Sequence, residues 1–282
     1  MNLTNPSVIR PLMERHGFSF SRSLGQNFLI NPTVCPRMAA ASGAAPGVGV
    51  LEIGPGVGVL TRELAALAER VVAIEIDRRL PPILSETLAD CPNVSVVVAD
   101  AMTIDLRALL AERFGDMPVV VCANLPYYIT SPLLMRLLEQ RLPLRAVTVM
   151  VQKEAAERIC AAPGTRACGA ISAAIAYYAA PEPLFTVSRG SFMPAPKVDS
   201  RVLRLTLRSV PPIQVAEETA FFSLIRAAFS QRRKTLVNAV SHGLQLDKQA
   251  VAAAVAAAGL PPTARAEELR LEDFAALSSA LA

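Results

Sequence analysis

The sequence predicts an α/β protein, with a parallel, doubly wound sheet in an amino-terminal domain and a small all-α domain behind it. Three observations carry that expectation. The chain has 282 residues, 52% of them apolar and 18% charged. That is enough to bury one large core with a smaller unit attached, and is far from the composition of a disordered chain. Between about Val48 and Met150, short β-branched runs alternate with helical segments, and strands separated by helices pair in parallel. After Val210-Pro211-Pro212 every patterned segment is helical.

The elements follow in order. Val48–Ile53 reads as a buried strand, followed by a glycine turn and a helix over about Val59–Arg70. Val71–Ile74 is the next strand, and a helix follows Asp77 although Pro81 and Pro82 fit its start poorly. Val94–Val98, Val119–Ala123 and Ala146–Val151 are further strands. Beyond Lys153 a helix and an Ala-rich helical stretch lead to strands at Phe185–Val187 and Val202–Leu207. The alternation of Val202–Leu207 suggests an exposed or edge strand closing the sheet. Helical patterns then cover Glu217–Phe229, Arg233–Ser241, Asp247–Ala258 and Leu271–Leu281. The domain boundary is placed between residues 209 and 210.

Composition narrows the chemistry. Cys35, Cys91, Cys122, Cys160 and Cys168 are widely spaced without a C-x-x-C pair, and only His16 and His242 are present. A disulfide framework, a thiolate or His-rich metal site and a His-based triad are therefore not expected, and a reducing cytosol is the natural compartment. The longest uncharged stretch in the middle of the chain, 167–181, is shorter than the roughly 20 apolar residues of a membrane span. Met1–Ser23 has no apolar core of a secretory signal. The formal charge is +4. From Thr219 to Leu246 there is no acid, whereas Arg226, Arg232, Arg233 and Lys234 fall there. Such a cluster either meets a polyanion or forms a solvated helix face.

Two motifs carry chemistry. Glu52-Ile53-Gly54-Pro55-Gly56-Val57-Gly58 ends the first strand, where glycines allow a ligand to approach the backbone closely. A dinucleotide site would place its third glycine where Val59 stands. Glu75 and Asp100 end the next two strands. Three acids at successive strand ends suit a cationic, adenosine-containing ligand, S-adenosylmethionine (SAM), better than a pyrophosphate. Asn124-Leu125-Pro126-Tyr127 ends the fourth strand. An adenine amine is a poor nucleophile because its lone pair is delocalised. Acceptors on its hydrogens, from the Asn124 side chain and a nearby carbonyl, would pyramidalise it, and Tyr127 could stack on the extruded base.

In these motifs the chain closely resembles the small-subunit rRNA adenine-N6 dimethyltransferase family, over nearly its full length. Further carriers are Leu24-Gly25-Gln26-Asn27-Phe28-Leu29, Glu75-Ile76-Asp77, Asp100-Ala101, Val151-Gln152-Lys153-Glu154, Phe192 to Ser200, and Phe229-Ser230-Gln231-Arg232-Arg233-Lys234-Thr235-Leu236. The resemblance implies a Rossmann-like SAM-dependent methyltransferase domain over 1–209, with an amino-terminal lid over 1–47, and a helical rRNA-docking domain over 210–282. It implies that Asn27, Leu29, Gly54, Gly56, Glu75, Asp100 and Asn124 bind SAM. Asn124, Leu125, Pro126, Tyr127 and Phe192 would receive the target base, and Arg226, Arg232, Arg233 and Lys234 would touch RNA. The Ser21-Arg22-Ser23 stretch is less basic than the family's usual lid, which bears on the lid's RNA contacts rather than on the chemistry.

The implied reaction is N6,N6-dimethylation of two adjacent adenines in the 3′-terminal hairpin of 16S rRNA, on the immature small subunit late in maturation. The expected enzyme is a cytoplasmic monomer that uses SAM and neither a metal nor a membrane. The alternatives are the related large-subunit rRNA adenine methyltransferase, which shares the glycine loop and the Asn-Leu-Pro-Tyr signature, and a mainly non-catalytic assembly factor. The Phe229–Leu236 segment favours the small-subunit enzyme, and the intact acids with Asn124 favour catalysis.

Overall fold

The computed structural model describes residues 1–21, 24–231 and 233–282. Its first elements are α1 (Pro6–Arg15), β1 (Phe28–Leu29), α2 (Val34–Ser42), β2 (Gly49–Ile53), α3 (Val59–Ala65) and β3 (Arg70–Glu75). Then come α4 (Pro81–Thr87), β4 (Val94–Val98), α5 (Leu106–Phe114), β5 (Val119–Asn124), α6 (Thr130–Glu139) and β6 (Leu144–Gln152). The chain continues through α7 (Lys153–Ile159), α8 (Ala170–Tyr178), β7 (Ala179–Val187), β8 (Phe192–Met193) and β9 (Ser200–Leu207). It ends with α9 (Glu218–Phe229), α10 (Leu236–Leu244), α11 (Lys248–Ala257) and α12 (Leu271–Ala280).

A seven-stranded sheet runs β4-β3-β2-β5-β6-β9-β7. β4 through β6 are parallel, and β9 returns antiparallel to β6. The β2 run Gly-Val-Leu-Glu-Ile is buried at every position, as a strand covered on both faces requires. From β2 the chain steps outward to β3 and β4, then returns to the opposite side of β2 at β5. That reversal leaves a crevice beyond the carboxyl ends of β2 and β5, the usual ligand position in such sheets. Met38 of α2 and Leu64 of α3 pack on one side with Val50, Val120 and Met150. A second apolar cluster joins Ile9 and Leu12 of α1 to Ile83 and Leu84 of α4, with Phe18, Phe28 and Val57.

Three expectations are corrected. The run Val202–Leu207 is not an edge, because β9 lies between β6 and β7, and Val202, Leu203 and Leu205 are fully buried. The edge is β7, whose Pro181 and Pro183 suit an outer position better than an inner one. Pro81 and Pro82 do not hinder α4 but open it, at the positions where the missing N–H has no intrahelical partner to lose. The helix expected from Arg233 begins at Leu236, because Thr235 is extended, with φ −65° and ψ 156°. Arg233 and Lys234 thus lie in the α9–α10 connection rather than at helical spacing, and both are exposed.

The chain divides into two compact units, residues 1–156 with 182–207, and residues 157–181 with 208–282. The sequence placed 157–181 with the sheet. In the structure that stretch clusters with the second unit, where the Tyr178 and Phe222 rings stack at 5.1 Å. Tyr177, fully buried, lies 5.5 Å from Phe221 and donates its hydroxyl hydrogen to Glu218 at 2.8 Å.

Candidate active site

A cavity of about 200 Å³ opens at the crevice beyond β2 and β5. Asn27, Leu29, Gly54, Gly56, Glu75, Asp100, Asn124, Leu125, Pro126, Tyr127 and Phe192 all line it. The sheet brings the ends of β2, β3, β4 and β5 to one side. The amino-terminal segment arrives through β1, which pairs antiparallel with β8 so that Leu29 faces Phe192.

The glycine loop leaves room for a ligand. Gly54 has φ +75°, and a side chain there would enter open space. Gly56, at φ +59°, lies against the Phe28 ring, 3.2 Å from where a Cβ would stand. Residues with a Cβ adopt either backbone poorly.

One wall is acidic. Glu75 is buried, and its Oε1 accepts from the Asp77 amide at 2.7 Å. Burial pushes its carboxyl up to about 7, opposed by the Asp77 amide and reinforced by the Asp77 charge. Glu52 is 1% exposed, and its Oε2 has no partner among the described residues. Burial pushes it up to about 8, with the Thr61 hydroxyl lowering it and the Glu75 charge adding to the rise. Asp100 Oδ1 accepts from the Met102 amide at 2.8 Å. Burial keeps Glu52 mostly as the neutral acid at pH 7, with one oxygen facing no donor among the described residues, a cost that a ligand donor would relieve. Together with the open glycine cradle, this wall fits SAM.

The opposite wall is neutral. Asn124 donates from Nδ2 to the Asn27 carbonyl at 3.4 Å, which commits the amide nitrogen and leaves Oδ1 as an acceptor. Leu125 donates its amide to Met150, while its carbonyl accepts from no described residue. The Pro126 carbonyl differs. It accepts from the Ile129 amide at 3.2 Å and the Thr130 hydroxyl at 3.4 Å, so the Leu125 carbonyl is the better placed of the two to serve as the nearby acceptor. Tyr127 is half-buried, and its hydroxyl meets Ser200 Oγ at 2.8 Å. Burial pushes the phenol up, with Ser200 opposing and the Asp199 charge reinforcing. Phe192, 4% exposed, both lines the cavity and packs into the core beside Leu29.

A family model described as ribosomal RNA adenine dimethylase matches residues 17–282. The chain belongs to that family. It is 45% identical to ribosomal RNA small subunit methyltransferase A of Geobacillus thermodenitrificans (strain NG80-2) and of Bacillus mycoides (strain KBAB4). Each match covers 99% of this chain and 97% of the relative. Among solved structures, 23S rRNA methyltransferase ErmE is 30% identical with a TM-score of 0.68, covering 90% of this chain and 99% of that one. A dimethyladenosine transferase from Plasmodium falciparum is 27% identical with a TM-score of 0.73, covering 89% and 95%. The fold is thus that of Rossmann-like methyltransferases, and the chain is a methyltransferase of the SAM-dependent dimethylase family.

Sequence reasoning counted Glu52 among the three acids that suit the ligand but did not name it as a binding residue. It missed Ser200, which sits inside the quoted Phe192–Ser200 motif and holds the Tyr127 hydroxyl. Among the RNA candidates, Arg226 is exposed on the last turn of α9, its guanidinium donating to Ser223 at 3.1 Å. Arg232 lies outside the described residues. No described helix is long and apolar enough to cross a membrane, and no group of three potential metal ligands occurs among the described residues.

Proposed function

We propose that this chain uses SAM to dimethylate the N6 amines of two adjacent adenines in the 3′-terminal hairpin of 16S rRNA, on the immature small subunit, in the cytoplasm. Glu75 and Asp100 would hold the ribose and the adenine amine of the cofactor, with Gly54 and Gly56 beneath its methionine portion and Asn27 and Leu29 closing over it. When bound, SAM supplies an electrophilic methyl group on a sulfonium. The chain's own work is to present the amine. Asn124 Oδ1 and the Leu125 carbonyl accept its hydrogens, which pyramidalises the nitrogen and frees its lone pair. Tyr127 and Phe192 bracket the base, and the Ser200 contact fixes the Tyr127 ring. No general base is required, since the alkylated ammonium is acidic and releases its proton to water. After the first transfer one N–H remains, and one acceptor suffices to orient it for the second.

The observation that carries this reading is the neutral wall. An amide whose nitrogen is committed to Asn27 faces the same cavity as three carboxylates. The 45% identical relatives named for the small subunit support 16S rRNA as substrate, while the likeness to a 23S rRNA methyltransferase keeps the large subunit as the rival. Arg226, Arg232, Arg233 and Lys234 would dock phosphates, and the enzyme would act as a monomer. The test offers tritiated SAM with undermethylated small subunits, naked 16S rRNA and 23S rRNA, scoring dimethyladenosine by mass spectrometry. Label in 16S rRNA is expected. Label confined to 23S rRNA would overturn the substrate, and no label in any would overturn the activity.

A further inference from the structure

Leading into β1, the segment 24–28 forms one side of the cavity, and short of Phe28, which pairs in β1, it lies in no regular element. Its anchors are side chains. Asp77, only 6% exposed, accepts hydrogen bonds from the Arg79 amide at 3.1 Å, Arg79 Nε at 2.9 Å, Arg79 Nη2 at 2.6 Å and Gln26 Nε2 at 2.8 Å. The other end of the Gln26 amide, Oε1, accepts from the Ser21 backbone at 2.8 Å. Arg79 also donates to the Ser19 carbonyl at 3.2 Å and lies 4.9 Å over the Phe18 ring.

These anchors connect the two walls. The Asp77 amide donates to Glu75 Oε1, so Asp77 grips the ribose-binding acid with its backbone and the segment with its side chain. One residue after Gln26, the Asn27 carbonyl receives the Asn124 amide. Phe28 then packs on Gly56 of the glycine loop. We propose that Gln26 and Asp77 are positioning residues, a two-part latch that holds residues 24–28 against the cofactor and thereby sets Glu75 and Asn124 together. The proposal rests on the methyltransferase reading above and adds the means by which cofactor binding and amine presentation are coupled. A cofactor that needs the closed segment binds with an affinity reduced by whatever fraction of the protein is open. Glutamine suits the role because it donates to a carboxylate with one head and accepts from an amide with the other.

The experiment exchanges the partners. Gln26→Glu sets a carboxylate against Asp77. Asp77→Asn weakens both the Gln26 and Arg79 bonds. The double variant, Gln26→Glu with Asp77→Asn, reverses the pair. The new carboxylate accepts from the new amide, but that amide nitrogen then faces Arg79 Nη2, which shared Asp77 Oδ2 with Gln26, so the exchange restores one bond and not both. Calorimetric titration with SAM is expected to show each single variant about tenfold weaker than wild type, the scale of one charge-assisted hydrogen bond. The double variant should bind SAM more tightly than the weaker single, with the Arg79 bond still lost. Single-turnover methyl transfer at saturating SAM should fall in the singles and recover in part in the double, which a general loss of stability would not do. Wild-type affinity in both singles, or a double no better than its weaker single, would overturn the latch. Failure of the wild type itself to bind SAM would overturn the cofactor reading and the latch with it. Should Asp77→Asn not fold, Gln26→Met removes both heads of the amide. Wild-type affinity in that variant would equally overturn the proposal.

Discussion

The two walls of the cavity are built from the same sheet by the same device, a functional residue at the carboxyl end of a strand, yet their electrostatics are opposite. On the β2–β3 side stand carboxyls that burial has pushed into the neutral range, Glu75 to about 7 and Glu52 to about 8. On the β5 side stand the Asn124 amide, the Leu125 carbonyl and the Tyr127 and Phe192 rings, and burial moves the Tyr127 phenol upward, away from neutrality. The difference separates two tasks. A cationic ligand is gripped by charge, which depends on pH. An amine is activated by fixed dipoles, which do not, and which need no reorganisation as the transition state forms.

The largest expected effect breaks the neutral wall. Asn124→Ala should lower single-turnover methyl transfer by about 10²–10³-fold, the scale seen when one preorganised polar contact to a transition state is removed. Its SAM affinity should fall far less. A variant that transfers at the wild-type rate would refute the assignment of chemistry to this wall.

A smaller effect sharpens the acidic wall. Ionised Glu75 would accept from both ribose hydroxyls, which the protonated acid cannot do, so SAM affinity should rise as pH climbs from 6 to 8, through its value near 7. Turnover of the bound complex should stay flat over that window. Glu75→Gln should bind SAM about 10–100-fold more weakly at pH 8, a loss on the order of 1.5–3 kcal/mol, with the pH dependence largely gone. Calorimetry at several pH values checks both, and an unchanged pH slope in the variant would remove Glu75 from the contact.

The smallest effect concerns the cost of keeping such a wall. Glu52 binds its proton more tightly when folded, at about 8 against a usual 4.5. Its contribution is present in full below the unfolded value and is lost as pH rises through the folded one. The cofactor-free protein should therefore melt lower at pH 8 than at pH 5. Glu52→Gln should recover on the order of 10 °C at pH 8 and much less at pH 5, at about 2–4 °C per kcal/mol. Scanning calorimetry of both forms decides it.

Much of this was legible because the signals were local. Gly54, Gly56, Glu75, Asp100 and Asn124 each sit where a β-branched run stops, so strand ends and site residues could be read together. What escaped depends on partners distant in the chain. β1 and β8 are two residues each and carry no periodicity, and only their pairing brings Leu29 to Phe192. Ser200 matters through Tyr127, 73 residues earlier. The placing of β9 inside and β7 outside could have been inferred from Pro181 and Pro183, since a proline in a strand withholds a donor from its neighbour. The helical reading of Arg233 and Lys234 failed because charge spacing alone does not reveal a cap.

Those same prolines have a consequence for the folded molecule among its own copies. The free margin of a sheet offers a row of unused backbone donors and acceptors on which a second chain can add a strand. Along β7 that row is interrupted at Pro181 and again two residues later at Pro183, so an incoming strand finds no continuous ladder. The opposite margin, β4, has five residues and no proline. Self-association by strand addition is thus blunted on one side of the sheet and limited to a short template on the other.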